Sequence, residues 1–138
     1  MRVEVFSSLP DCAREIREKV FIAEQGFTQE FDDIDETAVH LVMFDEKVPA
    51  ATCRIFKGSE QGLYVLGRLA VVKEYRGKQL GLALIKEAES YVKENGGKGI
   101  VLLAQQRVKD FYKKAGFEEF GETEYDEGCP HIRMRKYL

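Results

Sequence analysis

Arg76-Gly77-Lys78-Gln79-Leu80-Gly81 is a run of residues suited to holding an anion. Two glycines and two cations stand where an apolar stretch gives way to a helix-periodic one. A strand-to-helix junction presents the unpaired N–H groups of the first helical turn. The aligned peptide dipoles add partial positive charge, so a phosphate or pyrophosphate is the natural ligand. Glycine lets the backbone approach such a ligand closely, and Arg76 and Lys78 add charge. A second group of residues, Phe111-Tyr112-Lys113-Lys114-Ala115-Gly116-Phe117, places one phenol on a short helical stretch that Gly116 stops. Candidates to accept a proton are Glu24, His40 and His131, an unperturbed imidazole titrating at about 6.5.

The elements that must position these groups are legible in outline. Val3–Phe6 reads as a short strand. Ser8-Leu9-Pro10-Asp11 opens a helix with a capping hydroxyl, and Leu9, Ala13, Ile16, Val20 and Ala23 carry its period to about Glu24. The acidic stretch 25–37 reads as a surface loop or short irregular helix, with Asp32–Glu36 as a solvated charge run. Val39–Phe44 and Val48–Phe56 form a hairpin across Asp45-Glu46-Lys47. Leu63–Val72 is a central, buried strand. After the Gly-rich turn, Leu80, Leu84, Ile85, Ala88, Tyr91 and Val92 mark one helical face, ended by Asn95-Gly96-Gly97. Ile100–Ala104 reads as an interior strand and Arg107–Ala115 as a helix. Phe117–Tyr125 and His131–Tyr137 are closing antiparallel strands around a loop at 126–130. The order specifies an α/β protein with a mixed sheet.

Composition narrows the class. The chain has 138 residues, 44% hydrophobic and 33% charged, which suits one globular domain with a real core. A net charge of −3 argues against a general nucleic-acid binder. No apolar run approaches the roughly 20 residues that span a bilayer, so no membrane partner is expected and a soluble cytoplasmic protein is the reading. Cys12, Cys53 and Cys129 are widely separated, odd in number and lack metal-ligand spacing, which fits reduced thiols and no metal. Cys129 has no base specified beside it that would activate a nucleophilic thiol.

The strand Leu63–Val72, the turn Arg76–Gly81 and the block Phe111–Phe117 together resemble the GNAT superfamily of acyl-CoA-dependent N-acetyltransferases. Their patterns are Arg/Gln-x-x-Gly-x-Gly/Ala at the turn and Phe-Tyr…Gly-Phe after a short helix, and the element order matches along essentially the whole chain. Glu24-Gln25, Ala104-Gln105 and Asp126-Glu127-Gly128-Cys129-Pro130-His131 look like a small bacterial branch, the ElaA-like proteins. The resemblance implies one GNAT domain over residues 1–138. Its mixed, mostly antiparallel sheet would have about six to seven strands, flanked by helices on both faces.

It implies acetyl-CoA as co-substrate. Arg76, Gly77, Lys78, Gln79, Leu80 and Gly81 would hold its pyrophosphate, and the unpaired backbone of Leu69, Ala70 and Val71 its pantetheine arm. Gln105 and Phe111 are carried with this cofactor set. A backbone amide at the strand bulge would stabilise the oxyanion. Tyr112 would protonate the thiolate, and Glu24, His40 or His131 would serve the acceptor amine. The first motif glycine is replaced by Gln79, where a side chain could crowd the phosphate or bond to it. Arg54 and Arg68 could bind an anionic acceptor or pair with the acidic loop. The expected acceptor is a small-molecule or peptide amine, and a homodimer is compatible with the family. The alternatives are a non-catalytic acyl-CoA-binding or sensing module and, more weakly, a nucleotide-phosphate domain. The latter lacks the Gly-Lys-Ser/Thr ending of a P-loop.

Overall fold

The computed structural model describes all 138 residues. Seven strands form one sheet: β1 (Arg2–Phe6), β2 (Val39–Asp45), β3 (Val48–Lys57), β4 (Leu63–Val71), β5 (Gly99–Gln105), β6 (Glu118–Asp126) and β7 (Cys129–Tyr137). Their spatial order is β1-β2-β3-β4-β5-β7-β6. The β1–β2, β2–β3, β5–β7 and β6–β7 pairs are antiparallel, and β4–β5 is parallel. The α/β class and the seven-stranded, mostly antiparallel sheet agree with the sequence reading. No helix is long and apolar enough to cross a membrane.

The chain divides into two compact units, Met1–Phe56 with Leu66–Ala88, and Lys57–Val65 with Glu89–Leu138. In the first unit, α1 (Asp11–Arg17) is followed directly by a π-helical segment, Glu18–Glu24. Ala13, Ile16, Val20 and Phe21 pack with Val42, Phe44 and Ala70 in its core, with Phe6, Leu9, Phe27 and Val72 against them. The sequence period placed Ala23 on the buried face, yet Ala23 is exposed and Phe21 is buried. The π-segment is the cause: its i→i−5 bonds, such as Gln25 N–H to Val20 O, turn the chain less per residue than an α-helix does and shift the phase. Pro10, not a serine hydroxyl, occupies the N-cap of α1, and no side chain caps it. A four-residue helix, α2 (Ile34–Thr37), closes the acidic loop.

The second unit holds the parallel pairing of Leu63–Val65 with Gly99–Val101, and then the β5–β7–β6 ladder. The expected helix 107–115 divides into a 3-10 turn at Gln106–Val108 and α4 (Lys109–Lys114). The expected loop at 126–130 shrinks to Glu127-Gly128, both left-handed at φ 49° and 80°. Two residues of that conformation make a tight hairpin, so both strands run further than their alternation suggested. The long helix α3 (Leu80–Glu94) begins in the first unit and ends in the second. Leu80, Leu84, Ile85, Ala88 and Val92 are buried, as the period predicts; Tyr91 on the same face is half-buried, and Gly81 is buried as well. Gly96 caps it in left-handed conformation, and Gly97 N–H closes on Val92 O at 2.8 Å.

Candidate active site

The turn between β4 and α3 is built around two left-handed residues. Gly77 has φ 81° and Gln79 has φ 61°. Arg76, Gly77, Lys78 and Gln79 are all exposed, and the chain enters α3 at Leu80, with Ala83 N–H bonded back to Gln79 O at 3.2 Å. A Cβ added at Gly77 would meet nothing within 4 Å. The turn is therefore an open cradle at the start of a four-turn helix, whose first amides have no intrahelical partners. Such a cradle suits an anion such as a phosphate or diphosphate. The left-handed backbone at Gln79 also explains why a glycine motif belongs here: the position demands φ > 0, and an L side chain adopts it only under strain.

Arg76 does not point into empty solvent. Its Nη1 and Nη2 donate to the two carboxylate oxygens of Glu24, each at 2.9 Å, and its Nε donates to Val71 O at 2.9 Å. One guanidinium thus joins the end of the π-segment, the last residue of β4 and the anion turn. The π-segment makes this geometry attainable. Residues seven apart on an α-helix fall on nearly one face, whereas Arg17 points into the core and Glu24 outward to Arg76. The hydrogen bonds from Arg76 hold the Glu24 carboxyl below its ordinary value, so it is charged at neutral pH. Lys78 Nζ lies 5.3 Å from the centre of the Tyr75 ring, and Tyr75 donates to Asp45 Oδ2 at 2.8 Å.

The acidic loop is only in part the solvated surface that its composition suggested: Asp32, Asp33 and Glu36 are exposed. Glu30 and Asp35 are buried, and both meet buried arginines. Arg17, only 1% exposed, donates from Nε to Glu30 Oε2 at 2.8 Å and from Nη1 to Asp35 Oδ1 at 2.7 Å. Arg54 Nη1 donates to Asp35 Oδ1 at 2.9 Å and to Asp32 Oδ1 at 2.6 Å. Arg68 reaches Glu30 Oε2 at 3.1 Å and Asp32 Oδ2 at 3.5 Å. Of the two sequence readings for Arg54 and Arg68, pairing with the acidic loop is the one observed. Burial opposes charge on Asp35, but the guanidiniums of Arg17 and Arg54 and the Asp32 amide outweigh it and hold its carboxyl well below the usual range. At Glu30 burial outweighs the arginines and pushes the carboxyl up.

His40 is 1% exposed, with Nε2 3.0 Å from Asp35 O, and burial lowers its pKa. It belongs to this network rather than to a solvent-facing surface. The sequence reading reached the Arg54 and Arg68 pairs but not Arg17 or the burial of Glu30 and Asp35, because charge reads as exposure. The available signal was Arg17 at i+4 from Ala13 on an apolar helix face, where a cation needs a buried acid.

In the second unit Tyr112 is buried, with its ring edge-on to Phe111 at 5.1 Å and to Phe117 at 6.0 Å. Gln105, the last residue of β5, accepts from Arg107 Nε at 2.9 Å and pairs in register with His131. His131 turns Nδ1 onto Cys129 O at 2.8 Å. The structure therefore joins Glu24, Arg76 and Val71 by hydrogen bonds, whereas His40 bonds into the buried arginine–carboxylate network.

The acetyltransferase (GNAT) domain model matches residues 9–138. The N-acetyltransferase YjcF of Bacillus subtilis, itself uncharacterised, is 32% identical over 124 residues, which are 88% of this chain and 87% of the relative. The crystal structure of Escherichia coli ElaA superposes with a TM-score of 0.87 at 26% identity, covering 98% of each chain. A Bacillus subtilis acetyltransferase in complex with CoA shares the fold, with a TM-score of 0.78 at 16% identity over 99% of this chain and 98% of that one. The chain belongs to the GNAT family of acyl-CoA-dependent N-acetyltransferases.

Proposed function

We propose that residues 1–138 act as one domain that transfers the acetyl group of acetyl-CoA directly to the primary amine of an acceptor. The observation that carries this reading is the exposed, left-handed Gly77–Gln79 turn at the start of α3. Family membership and a structural neighbour crystallised with CoA support it. Arg76, Gly77, Lys78, Gln79, Leu80 and Gly81 hold the pyrophosphate through backbone amides and charge. Leu69, Ala70 and Val71 hydrogen-bond the pantetheine arm in the manner of an added strand, with Gln105 and Phe111 completing the cofactor contacts.

In the reaction the neutral amine attacks the thioester carbonyl carbon. The C–N bond forms and the C–S bond breaks, while a backbone amide near Val71 stabilises the oxyanion. Tyr112 O–H gives its proton to the coenzyme A sulfur and regains one from water. The proton lost by the amine passes through the Glu24 carboxylate to water. Glu24 suits this role better than His40, because Glu24 meets solvent and His40 is enclosed.

The test is thiol release from acetyl-CoA across a panel of small amines, amino sugars, peptide N-termini and lysine peptides. Release above hydrolysis with at least one class is expected. Saturable acetyl-CoA binding with no release from any amine would overturn catalysis and leave a non-catalytic acyl-CoA-binding module.

A further inference from the structure

Arg68 stands in the middle of β4 with φ 54°, a left-handed conformation that an L residue seldom adopts inside a strand. Such strain persists only where the surroundings over-determine it. Here the determinant is the side chain of the strained residue itself. Arg68 Nε is 3.1 Å from the Glu30 carbonyl oxygen and Nη2 is 3.0 Å from the same oxygen. Its Nε also meets the Glu30 carboxylate at 3.1 Å. Glu30 is in turn held by Arg17, Arg17 by Asp35, and Asp35 by Arg54, which closes on Asp32. Three guanidiniums meet three carboxylates, so the network is electrically balanced and fixed at many points. Gly67, the residue before the kink, brings bare backbone towards it: an added Cβ would lie 3.8 Å from Arg54 Nε.

The kink has a definite place in the strand. The β4–β5 ladder covers Leu63–Val65, and Leu69–Val71 lie beyond both that ladder and the kink. Their far end is pinned as well, because Val71 O accepts from Arg76 Nε and Val72 N–H donates to Ala50 O at 2.9 Å. The three residues proposed to bind the pantetheine arm are therefore a short backbone segment held by one arginine on each side.

We infer that Arg68 is a positioning residue for acyl transfer: its fork on Glu30 and Asp32 holds the left-handed turn that presents the Leu69–Val71 backbone to the acyl-pantetheine arm. The inference rests on the acetyltransferase reading above. A merely structural ion pair would lower stability and weaken every part of the ligand alike. A positioning role acts on the arm and spares the diphosphate, which the Arg76–Gly81 turn holds.

Calorimetry with two probes separates these roles: acetyl-CoA, and 3′-phospho-ADP, which carries the diphosphate but no pantetheine. Arg68→Gly suits the left-handed backbone and removes only the fork. It should bind acetyl-CoA at least tenfold more weakly and 3′-phospho-ADP within twofold of wild type. Arg68→Lys, which keeps the charge without the fork, should fall between the two. Asp32→Asn alters the solvent-facing rim of the network and keeps the test sound if Arg68→Gly does not fold. It should weaken acetyl-CoA binding two- to fivefold with the same selectivity. Equal losses for both probes, or unchanged acetyl-CoA binding in the folded variants, would overturn the inference alone. If wild-type protein binds neither probe, the acetyltransferase reading falls and the inference falls with it.

Discussion

The bidentate pair between Glu24 and Arg76, two hydrogen bonds of 2.9 Å, joins the carboxylate proposed to serve the amine to the first residue of the anion turn. Both side chains keep substantial solvent contact, at 35% and 43% exposure. A pair so exposed contributes little to stability. Glu24→Gln should therefore shift the urea midpoint by less than the equivalent of about 1 kcal/mol. Turnover should fall at least tenfold if the carboxylate handles the amine proton. Because Arg76 holds the Glu24 pKa down, Glu24 stays charged through the neutral range and contributes no acidic limb there to the wild-type rate profile.

Tyr112 gives a second prediction. Its ring is fixed edge-on between Phe111 and Phe117, contacts that phenylalanine preserves. Tyr112→Phe should fold with near-native stability and bind acetyl-CoA with unchanged affinity. Turnover should drop by roughly a hundredfold, in the range expected for loss of a general acid. Native turnover in this variant would remove Tyr112 from the chemistry.

Gln79 offers a gain rather than a loss. Its φ of 61° costs an L side chain about 1 kcal/mol, and glycine relieves most of this despite its greater freedom when unfolded. Gln79→Gly should raise the melting temperature by a few degrees and leave acetyl-CoA affinity unchanged or tighter. Weaker acetyl-CoA binding in this variant would show that the Gln79 amide contacts the ligand.

The buried network sets the pH dependence of stability. Asp35 and Asp32 have carboxyls held below their unfolded values, so their contribution is fully present above about pH 4 and is lost as pH falls through the folded values. Glu30, pushed up by burial, takes its proton earlier in the folded state and works in the opposite sense just above that range. Urea titrations from pH 7 to 3 should show a steep loss of stability below pH 4, and Asp35→Asn should flatten it. Arg17→Met takes one guanidinium from each of two buried carboxylates, leaving Glu30 to Arg68 and Asp35 to Arg54, and should cost at most about 3–5 kcal/mol at pH 7.

How much of this was legible in the sequence depended on whether a residue's role was local. The anion turn was readable because glycines and cations between a strand and a helix have few other uses, and Gln79 was readable as a departure from pattern. The succession of strands and helices along the chain followed from apolar runs and turns. By contrast, Arg17, Glu30, Asp35, Arg54 and Arg68 come from four separate segments, and only the fold sets their charges against one another. The π-segment was invisible for a related reason. A period of apolar residues predicts a helix, but the bonding that moved burial from Ala23 to Phe21 is decided by packing of Val20 and Phe21 in the core.

The central claim is that the Arg76–Gly81 turn holds the diphosphate of acetyl-CoA. Gly77 is exposed and left-handed with open space at its Cβ position, so Gly77→Asp places a carboxylate in the cradle without a clash. Gly96→Asp is the matched control, because Gly96 has the same φ of 81° and the same open space at the other end of α3. Calorimetric titration with acetyl-CoA should show saturable binding to wild type and to Gly96→Asp, and at least tenfold weaker binding to Gly77→Asp. Equal affinity in all three proteins, or no heat with wild type at millimolar acetyl-CoA, would contradict the claim.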